Sequence, residues 1–313
     1  MSLNPVARVG LGRRIARVVF SLALLALAGL LIFHHWVPDV FGLGLIADNL
    51  APWLGVLVLL AIVPLALIRG KLALLSWCVP AIAWTLMFGT AVLPATTPPA
   101  DASLIMATQN AYVTTNGLLE SELTRGSVDV LSVQEISPDQ VDDLQRELSD
   151  VFPHYVHVGT VAVFSKYPLR NTQALDLGLG WKRALRTDVI TNQGPLRLYA
   201  VHAASARPAD HASRDRMLDQ LESTIATDSA ARIVAMGDFN ATSTDRNMSG
   251  LLKYLRDTPS SHWGLGMTWP DRPFPVMRLD HVLISDSLTG SSRTISVKGS
   301  DHRGVIATLA PVE

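Results

Sequence analysis

The sequence predicts an α/β fold, a sandwich of two sheets, preceded by a bundle of three transmembrane helices. Three uncharged apolar runs occupy most of the first hundred residues. Beyond residue 103, short runs rich in Val, Ile and Leu alternate with segments of helical periodicity. Mixed hairpins and helix crossovers favour sheets covered by helices. We therefore expect a membrane domain at 1–93, a linker at 94–103 and an α/β body at 104–313.

The apolar runs lie at about 18–33, 51–68 and 72–92. Each lacks charged residues and approaches the ~20 residues with which a helix crosses the hydrocarbon core. The first run alone could also be the core of a secretory signal peptide, since arginines precede it. Two further spans follow, and no clean small-residue cleavage site is present. We therefore expect three membrane-spanning helices.

Positive charges predict the orientation of these helices. Arg69 and Lys71 lie between the second and third spans, and no Lys or Arg occurs at 34–50. Four further cations precede the first span: Arg8, Arg13, Arg14 and Arg17. Because Lys and Arg are retained in the cytoplasm, we expect a multi-pass protein of the cell membrane with a cytoplasmic N-terminus and an extracytoplasmic body.

The body is mildly acidic, with 25 acidic and 20 basic residues from position 101 onward. This balance argues against a nucleic-acid-binding protein that relies on phosphate neutralisation. The single cysteine, Cys78, excludes an intrachain disulfide. The composition therefore leaves an enzyme or a binding module with other partners.

Alternating patterns predict the elements of the body. Helical periodicity appears at Asn116–Arg125, Pro138–Leu148 and Ala209–Ala226. A turn at 192–195 joins two strands in a hairpin. Eight strands are expected: Leu104–Tyr112, Val128–Ile136, Tyr155–Phe164, Arg186–Thr191, Leu196–His202, Arg232–Gly237, Arg278–Ser285 and Gly304–Leu309.

Side chains that handle metals or phosphates stand at the ends of these strands. A strand that buries its apolar face and stops at such a residue presents it at the sheet edge. Taken alone, each could be an ordinary surface or core residue. Together they have the composition of an oxygen-rich divalent-metal site beside histidine. They are Asn110, Glu135, His202, Asp238, Asn240, Asp280, Asp301 and His302.

The order of these motifs resembles that of the endonuclease/exonuclease/phosphatase superfamily, the DNase I-like metal-dependent phosphoesterases. The resemblance covers Leu104–Leu309 and implies a DNase I-like fold and hydrolysis of phosphoric ester or pyrophosphate bonds. Its motifs are Gln109-Asn110, Gln134-Glu135, Ser165-Lys166-Tyr167-Pro168, Val201-His202, Gly237-Asp238-Phe239-Asn240, Leu279-Asp280-His281 and Ser300-Asp301-His302.

The resemblance also implies a metal centre. Glu135 would ligate Mg²⁺, with Mn²⁺ as a possible substitute, and Asn110 and Asp301 would lie in or near the coordination shell. His281 receives no role. The segment 181–183 lies between expected strands and could contact substrate or be a solvated loop.

By the same resemblance, five residues carry the chemistry. His302, held by Asp280, would act as general base or as phosphate donor. Asp238 is the alternative residue to orient or deprotonate the attacking water. Asn240 and His202 would donate hydrogen bonds to phosphoryl oxygens as charge accumulates there.

The complete arrangement resembles the VanJ-like teicoplanin-resistance membrane proteins. Those are associated with dephosphorylation of polyprenyl phosphates or pyrophosphates of wall synthesis. This implies membrane lipid as partner and an undecaprenyl-type pyrophosphate or phosphate as substrate, linked to carrier recycling in the cell wall or to antibiotic resistance. The alternatives are an anchored extracellular nuclease, a sphingomyelinase-like phospholipid phosphodiesterase, and a tethered binding module without activity. The oligomeric state is open.

Overall fold

Apolar helices form the first of the two units into which the chain divides, at Thr90 and Ala91. The structure is a computed structural model and describes residues 5–98, 103–112 and 115–312, with side chains from residue 11 onward. Three segments in these ranges are long and apolar enough to cross a membrane: Leu11–Trp36, Val40–Ile68 and Lys71–Val92. Only 17–22% of each apolar stretch is buried, as in helices whose side chains face lipid.

The second span begins earlier than predicted. Its helical path runs from Val40 rather than from residue 51, because Asp48 interrupts the uncharged run without interrupting the helix. A short 3-10 turn at Ala51–Trp53 joins two parts of this path. The α-helices of the unit are α1 Pro5–Phe33, α2 Leu43–Leu50, α3 Leu54–Leu60, α4 Ile62–Ile68 and α5 Lys71–Val92.

Twelve strands make up two six-stranded sheets in the described part of the second unit. The first sheet has the order β11-β12-β1-β2-β4-β3, and the second β5-β6-β7-β8-β10-β9. The strands are β1 Leu104–Asn110, β2 Val130–Gln134, β3 His154–Val158, β4 Val161–Ser165, β5 Leu169–Leu175, β6 Ala184–Thr191, β7 Gly194–His202, β8 Ile233–Asp238, β9 Arg256–Asp257, β10 Asp280–Ile284, β11 Leu288–Ser296 and β12 Arg303–Pro311.

Three apolar clusters hold this unit together. The central one lies between the sheets and joins Met106 of the first sheet to Leu198 of the second. On the outer faces, helix α7 (Pro138–Leu148) contributes Leu144, and α8 (Ala212–Ala226) contributes Leu221. A short helix, α6 (Asn116–Glu120), packs through Leu118 beside α7. The predicted two-sheet α/β sandwich covered by helices is therefore confirmed.

Several boundaries differ from the prediction. The expected strand at 155–164 is the hairpin β3–β4, which turns at Gly159 with a φ of +61°. The expected helix at 116–125 ends at Glu120, and a 3-10 turn follows at Glu122–Thr124. Strands β5, β9 and β11 were not predicted. All three are edge strands, and β5 and β11 have largely polar sequences without the apolar runs of the central strands.

The described part of the linker lies on the second unit. The backbone N–H of Ala95 donates to Ser260 O at 2.8 Å, and the Thr97 and Ser291 hydroxyl oxygens lie 2.9 Å apart. Residues 99–102 of the predicted linker lie outside the described residues. Residues 94–98 therefore form part of the body's surface rather than a free tether.

Two parallel strand pairs bring the ends of four strands together. In the first sheet β1 pairs with β2, and Asn110 lies opposite Gln134. In the second sheet β7 pairs with β8, and His202 lies opposite Asp238. Strand β10 pairs antiparallel with β8 and begins opposite Asp238. Both sheets therefore end in polar side chains at the same edge of the sandwich.

Gly237 permits the close approach of β7 and β8. Its φ is +145°, and a Cβ atom would lie 1.9 Å from Val201 O. We expect Gly237→Ala to lower the free energy of unfolding by about 3 kcal/mol or more. Gly180→Ala is the control, because Gly180 has a φ of +76° and open space around it. In that variant, only the strain of the positive φ lowers the free energy of unfolding, by about 1–2 kcal/mol. Urea unfolding followed by circular dichroism measures both; equal losses would contradict the steric argument.

Candidate active site

The amide of Asn110 bridges carboxylates from the two sheets. Asn110 ends β1 and is fully buried. Its Nδ2 donates to Glu135 Oε1 at 3.1 Å and to Asp238 Oδ2 at 3.0 Å. Its Oδ1 accepts from the backbone N–H of Tyr112 at 3.0 Å. A single side chain therefore fixes the distance between the two acids.

Left-handed backbone occurs at three non-glycine residues around this amide. Tyr112, Glu135 and Asn240 have φ values of 47°, 58° and 48°. Each such conformation costs about 1–3 kcal/mol and persists where the surrounding structure holds it, often at functional sites. At Glu135 it turns the chain directly after β2, which leaves the carboxylate half-buried at the strand end.

Asp238 is a buried carboxylate that accepts three hydrogen bonds. Its Oδ1 accepts from Asn240 N at 2.9 Å, and its Oδ2 accepts from Asn240 Nδ2 at 3.2 Å and from Asn110. Burial raises the pKa of Asp238, and the negative charge of Asp280 adds to that rise, while His302 and His202 oppose it. A carboxylate with a raised pKa is a better proton acceptor.

His302 is held by Asp280 in a buried pair. The His302 Nδ1 and Asp280 Oδ2 atoms lie 2.8 Å apart. Burial by itself lowers the pKa of His302, but the charges of Asp280 and Asp238, with smaller help from Asp301, raise it to about 10. His302 is therefore an imidazolium at neutral pH. In that state it can donate a hydrogen bond from its ring.

His202 connects Glu135 to the end of the β3–β4 hairpin. Its Nδ1 lies 2.8 Å from Thr160 Oγ1, and its Nε2 lies 3.5 Å from Glu135 Oε1. The hydrogen bond from His202 lowers the pKa of Glu135 to about 2 against the effect of burial, with help from Asn110. Glu135 is therefore ionised at every physiological pH.

Arg183 is a site residue whose role the sequence left undecided. It is half-buried directly before β6, its Nη2 lies 2.9 Å from His202 Nδ1, and its Cζ lies 4.9 Å from the Trp181 ring centroid. Burial lowers the pKa of Arg183, and the charges of Asp238 and Glu135 oppose that shift. Of the two interpretations of 181–183, a solvated loop fits Lys182, which is exposed, but not Arg183. In the sequence, the only signal for Arg183 as a site residue is its position before an expected strand.

The site contains two overlapping groups of possible metal donors. Donor atoms of Glu135, His202 and Asp238 lie within 4.8 Å of one another, and so do those of Asp238, Asp280 and His302. Asp280 Oδ1 is buried and has no hydrogen-bond partner among the described residues. Carboxylate and amide oxygens suit hard divalent cations, so the residues present fit a Mg²⁺-type ion.

Asp301 does not join either group of donors. Its Oδ2 accepts from Trp269 Nε1 at 3.1 Å, while its Oδ1 is buried without a hydrogen-bond partner in the described part of the chain. Its role as metal ligand stays a prediction. The same holds for Asn240 as a phosphate donor, because its Nδ2 donates to Ala203 O at 3.1 Å and to Asp238.

Two buried side chains, Arg214 and His281, hold the backbone next to the site. Arg214 donates to Asn240 O at 2.9 Å and to Asp245 Oδ2 at 2.8 Å, which holds the turn after β8. His281, which had no predicted role, contacts Asp257 Oδ2 at 2.7 Å and Ala241 O at 2.9 Å. These contacts hold the start of β10, and with it Asp280, in place.

The fold and the site together define a hydrolase of the DNase I-like class. Residues 107–302, more than half of the chain, match the Endonuclease/Exonuclease/phosphatase family, and the chain belongs to that family. Its members are metal-dependent nucleases or phosphoesterases. No curated protein matches the sequence significantly.

Solved structures share this fold at low sequence identity. Sphingomyelinase C from Streptomyces griseocarneus is 17% identical with a TM-score of 0.53, over 67% of this chain and 99% of that one. A humanized D. rerio TDP2 is 18% identical with a TM-score of 0.56, over 66% and 99%. A Staphylococcus aureus beta toxin variant with bound magnesium ions is 15% identical with a TM-score of 0.52, over 66% and 99%. These likenesses show the fold alone.

The pairing of His302 with Asp280 predicts a specific titration. We expect Asp280→Asn to lower the pKa of His302 from about 10 toward its ordinary 6.5, because the main opposing charge is removed. Protonation of His302 stabilises the wild-type fold fully below about 6.5, and this stabilisation is lost as pH rises through about 10. NMR of metal-free protein with ¹³C-labelled histidine measures the titration.

The matched control for this titration is Asp139→Asn, on the exposed first turn of α7. It should leave the His302 signal unchanged. A His302 that already titrates near 6.5 in the wild-type protein would contradict the assignment of an imidazolium.

Proposed function

We propose that this chain is a membrane-anchored, Mg²⁺-dependent phosphoesterase that hydrolyses lipid-linked pyrophosphate or phosphate, of the polyprenyl or undecaprenyl type, at the outer face of the membrane. The observation that carries the proposal is the convergence of Glu135, Asp238 and His302 at one edge of the sandwich, in a chain of this family with three apolar helices.

The metal proposed here is Mg²⁺, with Mn²⁺ as a possible substitute. Glu135 would hold it, and Asn110 and Asp301 would lie in or near its shell. A divalent ion bound there neutralises charge that develops on the phosphoryl group. The low pKa of Glu135, about 2, supports this assignment, because a metal ligand must be deprotonated.

The chain's own residues supply the proton transfer. The oxygen of water forms a bond to phosphorus, the bond from phosphorus to the departing oxygen breaks, and Asp238 accepts the proton of water. Solvent supplies a proton to the departing oxygen and Asp238 returns its proton to solvent, so that one water is consumed in total. The raised pKa of Asp238 favours it over His302 as the acceptor. These shifts support Asp238 among the two candidates for the base that the sequence left open.

Three cationic or imidazole side chains would hold the phosphoryl oxygens. His302 is positively charged and Arg183 carries a guanidinium beside the carboxylates. His202 lies between Arg183 and Glu135. Donors placed where charge accumulates stabilise the transition state more than the ground state. A pyrophosphate substrate carries more negative charge than a monoester. The positive charge of Arg183 would balance part of it.

The membrane anchor supports a lipid substrate. The connection from the last apolar helix to the body is short, because that helix ends at Val92 and residues 94–98 already lie on the surface of the body. Linkage to the bilayer raises the effective concentration of lipid headgroups over that of soluble esters. The proposed role in cell-wall carrier recycling or glycopeptide resistance rests on this anchoring and on the resemblance of the whole arrangement.

The substrate class is tested by phosphate release from the purified full chain with Mg²⁺. Polyprenyl pyrophosphate, sphingomyelin-type phospholipid and plasmid DNA are compared at equal concentration. We expect turnover of the polyprenyl substrate, because the anchor and the acidic body favour lipid over nucleic acid. Efficient cleavage of DNA or phospholipid with inert polyprenyl pyrophosphate would support an anchored nuclease or a phosphodiesterase instead.

Variants test the assigned residues. Glu135→Ala and His302→Ala should each abolish turnover, because they remove the predicted metal ligand and the charged donor. Arg183→Ala should lower kcat by about 10²–10³, the usual cost of one lost transition-state donor. Lys182→Ala, at the exposed neighbouring position, is the control and should keep full activity. Retained activity of Glu135→Ala or His302→Ala with normal folding would place the site elsewhere.

The orientation is tested separately by a reporter fused after Glu313. A reporter enzyme that is active only outside the cytoplasm should show activity. The cations that flank the spans predict a cytoplasmic N-terminus, and three crossings then place the C-terminus outside. A fluorescent cytoplasmic fusion would refute the outer-face assignment and with it the proposed lipid substrate.

A further inference from the structure

A second cluster of metal-binding side chains lies in the membrane unit, within that unit alone. His34 and His35 form a short 3-10 turn directly after α1, and Asp48 lies in α2. The His34 Nδ1 and Asp48 Oδ1 atoms are 2.9 Å apart. One donor atom from each of the three residues lies within 4.8 Å of the other two.

Asp48 is an unusual residue for its surroundings. It is 0% exposed and lies inside an apolar segment that is long enough to cross a membrane. A carboxylate in such an environment is expensive, and ionisable residues there are usually functional and paired. The cost is offset by a partner that can carry positive charge, and His34, which is 4% exposed, occupies that position.

His35 distinguishes this cluster from a simple buried ion pair. It is exposed, yet its ring lies 4.1 Å from the ring of His34, centroid to centroid, at an interplanar angle of 70°. A His34–Asp48 hydrogen bond alone gives no reason for a second imidazole with a donor atom beside the same carboxylate. Two nitrogens and one oxygen around one point are the usual protein ligands of a zinc-class ion.

The chemistry of this cluster differs from that of the active site. The active-site donors are mostly carboxylate and amide oxygens, which suit Mg²⁺. Imidazole nitrogens suit Zn²⁺, Cu²⁺ or Ni²⁺, which bind nitrogen ligands far more strongly than Mg²⁺ does. The two sites would therefore be filled by different ions in the same solution.

We propose that His34, His35 and Asp48 form a binding site for a transition-metal ion of the zinc class, with a solvent molecule at the fourth position on the exposed side of His35. The ion links the C-terminal end of the first span to α2. Metal binding of this kind ties two segments together in the folded state only, and so stabilises it.

The test uses the full chain in detergent, without a polyhistidine tag, and in a Glu135→Ala background that removes the predicted ligand of the catalytic metal. Protein stripped with a chelator is reloaded with Zn²⁺ in excess Mg²⁺, and bound zinc is counted by mass spectrometry. Co²⁺ is loaded in parallel, because four-coordinate Co²⁺ gives intense visible bands and six-coordinate Co²⁺ gives weak ones.

His35→Ala is the decisive variant. His35 is exposed, so its replacement leaves both partners of the buried His34–Asp48 pair in place. We expect this variant to lose one zinc per chain and the Co²⁺ bands. Its apparent Kd for Zn²⁺ should rise by more than about 10–100-fold, which is the cost of losing a residue that only hydrogen-bonds to a metal ligand. His262→Ala, at an exposed position in the second unit, is the matched control and should retain the zinc.

A second variant keeps the proposal testable if His35→Ala is equivocal. His34→Gln retains a hydrogen-bonding side chain for Asp48 and removes the imidazole, so it should also lose one zinc. Phosphate release by the same variants with Glu135 restored reports whether the chain is folded. Equal zinc content in His35→Ala, His262→Ala and the parent protein would overturn the proposal and leave a hydrogen-bonded pair only.

Discussion

The buried carboxylate of Asp238 is the interaction on which the site depends. It ends β8, accepts hydrogen bonds from Asn110 of the first sheet and from Asn240 in the turn after β8, and belongs to both groups of metal donors. A buried acid with these contacts fixes the two sheet edges relative to each other. Arg214 and the close approach at Gly237 serve the same purpose, because they hold the backbone on either side of it.

Burial, hydrogen bonds and opposite charges around this carboxylate move the pKa values of its neighbours apart. The pKa of Glu135 is lowered to about 2 and that of His302 is raised to about 10, while burial raises that of Asp238. Groups of opposite proton affinity in one cleft are the usual basis for acid and base roles. The environment of His302 therefore supports our proposal that it donates a hydrogen bond and that a carboxylate acts as the base.

The sequence predicted those features that follow from buried, regular patterns. The central strands were predicted because burial on both sides leaves continuous apolar runs, and α7 was predicted from its helical periodicity. In the structure, Ser137 and Gln140 form a capping box at the start of α7. The edge strands were missed because a polar strand with one partner carries no such pattern. The ends of central strands indicated the candidate site, since a polar residue after an apolar run is a strong local signal.

The contacts that sequence could not provide are those that depend on long-range geometry. Arg183 reaches the site through the turn before β6, and Asp48 is paired with His34 through the folding of two helices onto each other. The hydrogen bond from Trp269 Nε1 to Asp301 Oδ2 is another such contact, and the role of Asp301 as a metal ligand stays a prediction. In each case, two residues that are distant along the chain become neighbours only after folding, so no local pattern in the sequence indicates the contact.

The central claim is that residues far apart in sequence hold one divalent ion at the edge of the sandwich. Diffraction from crystals of the full chain grown with Mn²⁺, measured at the manganese absorption edge, tests it most directly. We expect an anomalous peak in coordination contact with Glu135, beside Asp238 and Asn110. A peak elsewhere, or a well-ordered site without manganese, would contradict it.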